Sequence, residues 1–290
     1  MDTKINRILF PVDFSKRCEQ AASQIEAWAK HFSATVVVVN VIDPRDLYSE
    51  PARQEDTFIE ELPNLRVRAE ADLQYFSDRY LAQCSHQTLI LDGDTADSIV
   101  ALAGEERADL IMLPRNHQSL GSRWLRDSVS ARVLESCPVP VWTTEHPETL
   151  SNALPNKILC AVHVMGDIRQ DAENDRMLTI AKLVSIEFAA KLTILYVGAP
   201  GEGTDREGAG GNTTQEISAR LSTIRREMQD VANFERASGD IKTAIVDAAS
   251  RLSVDLILLG RSGPGTVGLG LQGHVLSVNH YAKCPMISIG

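Results

Sequence analysis

A stretch of this chain recurs 146 positions later. Gly93-Asp94, Ile99-Val100, Ala103 and Asp109-Leu110-Ile111 return as Gly239-Asp240, Ile245-Val246, Ala249 and Asp255-Leu256-Ile257. In a chain of 290 residues a repeat at that spacing divides the sequence into two halves of one architecture, each long enough to bury its own core. Beyond the repeat the halves part company. The second reads Gly260-Arg261-Ser262-Gly263, then nine residues and Gly273, whereas the first has Pro114, His117 and Asp127 at those three places.

The apolar pattern names the architecture. Residues 5–13 and 34–42 are short, β-branched and continuously apolar, as expected of strands covered on both faces. Between them Ala21, Ala22, Ile25, Trp28 and Ala29 recur at helical spacing behind Ser15, a candidate N-cap. A charged, helix-rich segment over 51–82 follows. Strands are then expected at 87–91, 109–113 and 139–144, with helices at 96–106 and 127–135. The second half predicts strands at 157–162, 191–197, 233–237, 255–259 and 286–289. Its helices are expected at 171–188, 215–232, 243–252 and 274–282. Strands alternating with helices predict a doubly wound α/β sheet, with ligands at the carboxyl ends of its strands. Domains of 1–146 and 155–290 are joined by the turn-rich 146–155. The segment 198–212 holds six glycines and reads as a loop, since no Gly-Lys-Ser/Thr follows it.

Charge and cysteine content narrow the function. With 29 basic and 39 acidic residues the net charge is −10, the wrong sign for a nucleic-acid or anionic-membrane binder. Five scattered cysteines without a C-x-x-C fit reduced thiols in a cytoplasm better than a disulfide framework. No apolar run approaches 18 residues, so no membrane span is expected. No Gly-x-Ser-x-Gly elbow, metalloprotease helix or acidic metal cage occurs. The expectation is neither a catalytic residue nor a protein-held metal.

With these residues in view, each half resembles a universal stress protein domain. Pro11-Val12-Asp13-Phe14-Ser15, the Gly-Asp-x4-Ile-Val and Asp-Leu-Ile segments, Asp127–Leu134 and the Cys-Pro pairs at Cys137 and Cys284 carry the resemblance. It spans nearly the whole chain. It implies two tandem Rossmann-like domains, each a five-stranded parallel sheet flanked by helices, that pair as an intramolecular pseudo-dimer. A further homodimer is compatible with it.

The resemblance also implies a division into members that bind ATP and members that do not, marked by a Gly-x2-Gly-x9-Gly-Ser/Thr loop. Glycines let backbone N–H groups approach phosphate oxygens, and a helix N-terminus beyond them favours negative charge. The second half has Gly260, Arg261, Gly263 and Gly273 in place, but His274 where the hydroxyl belongs and His163 where a first-strand aspartate belongs. Val197 matches the position whose backbone meets adenine. The first half is the converse: it keeps Asp13, Val41 and Ser128, while Pro114, His117 and Asp127 replace the glycines. A carboxylate ~4 Å from a phosphate charge would cost up to about 4 kcal/mol at an effective dielectric near 20. Phosphate binding is therefore not expected in the first half.

Each feature also has a plainer reading. The glycines after residue 260 also describe a turn, His163 and His274 also describe loop histidines rather than a metal pair or pH-sensitive anion contact, and Asp13 also describes a helix-capping relic. The sequence thus leads to a cytoplasmic, regulatory stress-response protein binding ATP or AMP in its second half, with magnesium only as the nucleotide's companion and at most slow hydrolysis. Two alternatives stand beside it: a scaffold or adaptor working through protein partners, and a binder of another phosphorylated or lipid-like metabolite.

Overall fold

The computed structural model describes residues 4–45, 55–114, 128–143, 154–162, 164, 168–198, 211–261 and 272–290. Two compact units meet in sequence at Leu154 and Pro155, and both are α/β.

In the first unit the order along the chain is β1 (Arg7–Pro11), α1 (Lys16–Phe32), β2 (Thr35–Ile42), α2 (Glu55–Tyr80) and β3 (His86–Asp92). Then come α3 (Thr95–Glu105), β4 (Leu110–Leu113), α4 (Val129–Ser136) and β5 (Val141–Thr143). The strands are parallel and lie side by side as β3-β2-β1-β4-β5. The chain winds one way from β1 to β3 and then crosses back to β4. The reversal leaves a crevice between β1 and β4 at their carboxyl ends, where such sheets bind ligands.

The second unit repeats this with β6 (Lys157–Val162), α5 (Ile168–Glu187), β7 (Lys191–Gly198), α6 (Gly211–Met228) and β8 (Ala232–Ser238). It ends with α7 (Ile241–Leu252), β9 (Leu256–Gly260), α8 (Gln272–Tyr281) and β10 (Met286–Ile289). Its order is β8-β7-β6-β9-β10, again parallel. Gly211 and Asn212, expected in the glycine-rich loop, open α6 instead. Gly198 closes β7 and the rest of that loop lies outside the described residues. Helix α8 begins at Gln272, so Gly273 is its second residue rather than the residue that precedes it.

Central strands are apolar on both faces, as their continuous Val, Ile and Leu runs require: Ile8, Leu9, Phe10 and Val36–Val39 are fully buried. Trp28 of α1 packs against Trp142 of β5 and Phe32, with ring centroids 6.5 and 5.9 Å apart.

The repeated motifs turn out to be folding devices. Gly93 and Gly239 have φ of 140° and 112°, which a side chain would resist. The next residue in each copy caps a helix: Asp94 accepts from the Asp97 N–H at 3.0 Å, and Asp240 from the Thr243 N–H at 2.9 Å. The Asp-Leu-Ile aspartates fasten the first strand of each sheet. Asp109 accepts from the N–H groups of Asn6 and Arg7 at 2.7 and 3.0 Å, and Asp255 accepts from Asn156 and Lys157 at 3.0 and 2.9 Å. The duplication is conspicuous because these connections tolerate few residues.

Candidate nucleotide sites

In the first unit the crevice is a cleft of about 520 Å3. Its walls are the carboxyl ends of β1, β2 and β4 and the first turns of α1, α3 and α4. Asp13, Val41 and Ser128, chosen from the sequence, all line it; His117 lies outside the described residues. Arg17, Cys18, Asn40, Thr95 and Ser130 line it too and were not anticipated. Asn40 had a signal, as a lone amide in the run Val36–Val41. Its side chain donates to the Val12 carbonyl at 2.8 Å and fixes the chain as it leaves β1.

Asp13 accepts from the Ser15 N–H at 3.0 Å, the Arg17 guanidinium at 2.9 Å and the Cys18 thiol at 3.0 Å. Burial acts to raise its carboxyl pKa, but the bonds from Ser15 and Cys18 and the charge of Arg17 outweigh it and hold it below the ordinary value. Cys18 moves the other way, to about 12, through burial and the neighbouring Asp13 carboxylate. It is a poor nucleophile. Ser15 is the N-cap of α1, yet its side chain makes no capping bond.

At the rim, nearly buried Asp43 accepts from the Thr95 N–H at 3.3 Å and pairs with Arg45 at 2.6 Å. Arg45 also pairs with Asp94. Arg132 of α4 reaches Asp94 and Asp97, both at 2.8 Å. The bond from Arg132, with further charge from Arg45, draws the Asp94 pKa down to about 2. This ion-pair cluster holds the first turn of α3 and the body of α4 around the cleft.

Two features mark α4 and the strand before it. Ser128 is the N-cap, and its hydroxyl accepts from the Ala131 N–H at 3.2 Å. Pro114, at the end of β4, has no N–H to offer.

In the second unit Val197 is buried near the end of β7, 156 residues beyond Val41. The register confirms the equivalence, since Gly93 donates to the Ile42 carbonyl as Gly239 does to that of Gly198. Gly260 ends β9. Arg261 is buried, and its N–H donates to the Ile289 carbonyl at 2.6 Å. His274 lies in the first turn of α8. The Asp240 carboxyl is held below its ordinary value chiefly by the Thr243 hydroxyl and N–H, with smaller contributions from Lys242 and His274. His163 and Gly263 lie outside the described residues.

Gly260 also has a neighbour the sequence did not reveal. A Cβ built on it stands 3.4 Å from the Met177 sulfur, an ordinary contact, and its φ lies outside the left-handed range. Ser33 and Ala189 are matching left-handed residues after α1 and α5, and the same 156-residue step pairs Met177 with Ala21. Met177 and Gly260 in one half thus correspond to Ala21 and Pro114 in the other.

Among the described residues no three His, Cys, Asp or Glu side chains are grouped to hold a metal ion, and no helix is long and apolar enough to cross a membrane.

Comparison with known proteins agrees with this architecture. Residues 4–144 match the sequence model of the universal stress protein family. A universal stress protein of Methanocaldococcus jannaschii is 28% identical over 145 residues, covering 49% of this chain and 83% of that protein. One from Synechocystis is 26% identical over 135 residues, covering 46% of this chain and 82% of that protein. The crystal structure of a universal stress protein from Archaeoglobus fulgidus aligns over 99% of this chain and 97% of its own, with a TM-score of 0.76 at 21% identity. That likeness speaks to the fold of both halves. Residues 4–144 thus belong to the universal stress protein family, and the second sheet repeats the fold of the first.

Proposed function

We propose that the protein acts in the stress response of the cytoplasm by regulation rather than turnover, and that its second half binds ATP or a related adenine nucleotide. The observation that carries this reading is the spacing Gly260-x2-Gly263-x9-Gly273 between the carboxyl end of β9 and the first turn of α8. A helix start offers unpaired N–H groups and a favourable dipole to phosphate. Val197, near the end of β7, supplies backbone groups for the base. By sequence position Arg261 and His274 are assigned to the phosphate and His163 to the nucleoside. Magnesium would arrive with the nucleotide. In the first half, Pro114 and the self-capping Ser128 disfavour phosphate.

The test is calorimetric titration of the nucleotide-stripped chain with ATP and AMP. One equivalent per chain is expected, lost in Gly263→Asp; unchanged affinity in that variant refutes the loop assignment. Two equivalents refute confinement to one half. If His274 contacts phosphate, His274→Ala weakens ATP binding more than adenosine binding; equal losses for both remove that role. A second reading, a scaffold that binds proteins and no nucleotide, is favoured by His163 and His274, which stand in the sequence where an aspartate and a hydroxyl belong. Absence of heat and of any thermal shift selects it.

A further inference from the structure

The outer edge of the second sheet carries a groove that the nucleotide reading does not use. Among the described residues β8 ends the row β8-β7-β6-β9-β10. Gly239 donates to the Gly198 carbonyl of β7, and alternate residues of a parallel strand serve opposite neighbours. Ala232, Phe234 and Ser238 therefore direct their N–H and C=O groups to the outer edge.

Helix α7 borders that edge with one flank. Lys242 lies over the Tyr281 ring of α8 at 4.7 Å, and Ile245 and Ala249 are buried. With about 3.6 residues per turn, Ala244, Asp247, Ala248 and Arg251 fall on the flank away from α8. Together with Ala237, Ser238, Asp240 and Thr243 they line a groove of about 330 Å3, large enough for side chains of a ligand. Arg251 is already paired with Glu235, whereas Asp240 and Asp247 are exposed. The rim is acidic.

The first half shows what closes such a groove. The 146-residue step places Leu91 and Leu102 where the second half has Ala237 and Ala248, and Leu102 is buried. The Ile90 carbonyl, which alternation turns away from β2, accepts from Arg66 of α2 at 3.0 Å. One edge is filled and capped by its own side chains; the other keeps small residues beside a cavity.

We infer that the β8 edge receives an extended, basic segment of a partner protein as an added strand. Main-chain bonds at Ala232, Phe234 and Ser238 supply affinity, and the groove supplies selectivity. Side chains on the α7 side lie against Ala237 and Ala248, and a lysine or arginine meets Asp240 and Asp247. A second copy of this chain, at a net charge of −10, would bring the same acidic rim against this one. The assignment is independent of nucleotide binding in either half.

The probe is a fluorescein-labelled peptide, Thr-Lys-Thr-Val-Thr-Lys-Thr, titrated with the full-length chain and followed by anisotropy. Its glutamate counterpart, Thr-Glu-Thr-Val-Thr-Glu-Thr, is expected to bind at least about tenfold more weakly, and salt should narrow the difference. Ala237→Leu, which installs the residue of the closed edge, should abolish uptake with the melting temperature retained. Asp247→Lys, at an exposed position, should remove the preference for lysine. Methylating alternate backbone nitrogens of the probe should abolish binding for one set and spare the other, as a strand paired on one side requires. The inference is overturned by no anisotropy change up to about 1 mM chain, by equal binding of the two peptides, or by uptake that survives Ala237→Leu. Equal effects of the two methylated sets also overturn it. So does a dimer of the free chain that Ala237→Leu dissociates, because a second copy then occupies the edge.

Discussion

Gly260 can be tested for packing and for binding with one set of variants. Its φ is outside the left-handed region, and an added Cβ meets the Met177 sulfur at 3.4 Å and its methyl at 4.0 Å. Alanine therefore fits. Gly260→Ala should leave stability unchanged or raise it by about 0.4–1 kcal/mol, by restricting the unfolded chain. Valine carries two further methyl groups toward Met177, which is only 1% exposed. Overpacking of that kind costs about 1–3 kcal/mol. Met177→Ala alone should cost about 2–5 kcal/mol for the cavity it leaves. In the double variant the valine occupies part of that cavity, so the loss should fall short of the sum by at least about 1 kcal/mol. Urea unfolding followed by circular dichroism measures these terms. All three tryptophans lie in the first half, so fluorescence serves as an internal control. Additive losses, or a Gly260→Ala cost above about 2 kcal/mol, would refute the packing argument. Titration of the stable alanine variant with ATP then reads the ligand's demand on that backbone alone.

Three further outcomes follow from the folding devices. Gly239→Ala should cost about 1–2 kcal/mol by conformation alone, because no atom lies within 4 Å of the added Cβ. Gly104→Ala, equally open but inside α3, should gain up to about 1 kcal/mol, and equal melting shifts would contradict the contrast. The lowered pKa of Asp94, about 2 against 3.8, means that the folded state favours its charged form. That stability is complete above about pH 4 and is lost as pH falls through about 2; after screening it amounts to about 1 kcal/mol. Asp94→Asn should flatten the decline of urea midpoints between pH 4 and 2, and an unaltered slope would rule the cluster out as a source of acid sensitivity. Asp109→Ala and Asp255→Ala should each cost about 1–2 kcal/mol by freeing two strand-end N–H groups. A loss in only one of them would show that the two ties are not equivalent.

The fold was largely legible because its strands announce themselves. Val36–Val39 and Leu256–Leu259 are apolar without interruption, as strands buried on both faces must be, and the helices between them carry apolar residues on the packed side. Boundaries were less legible where local chemistry is neutral. Gly211-Asn212-Thr213-Thr214 has poor intrinsic helix propensity, so the start of α6 was placed at Gln215. At the site, Asp13, Val41 and Ser128 were found because they sit at the ends of recognisable elements. Arg17, Cys18, Thr95 and Ser130 were missed because what matters is their convergence from elements far apart in sequence. The contact of Met177 with Gly260 was invisible for the same reason.

The same partnership bears on how the two halves diverged. After a duplication, the strand-end residue and the helix residue that lies against it do not change independently. A first half carrying Ala21 lacks the methionine that covers the strand-end glycine in its sibling. Pro114→Gly by itself would expose backbone without restoring a side chain to lie against it. Exchanging one of these residues alone would therefore not reproduce the pair found in the second half. The two halves thus differ at both members of one pair, and each position has its meaning together with its neighbour rather than alone.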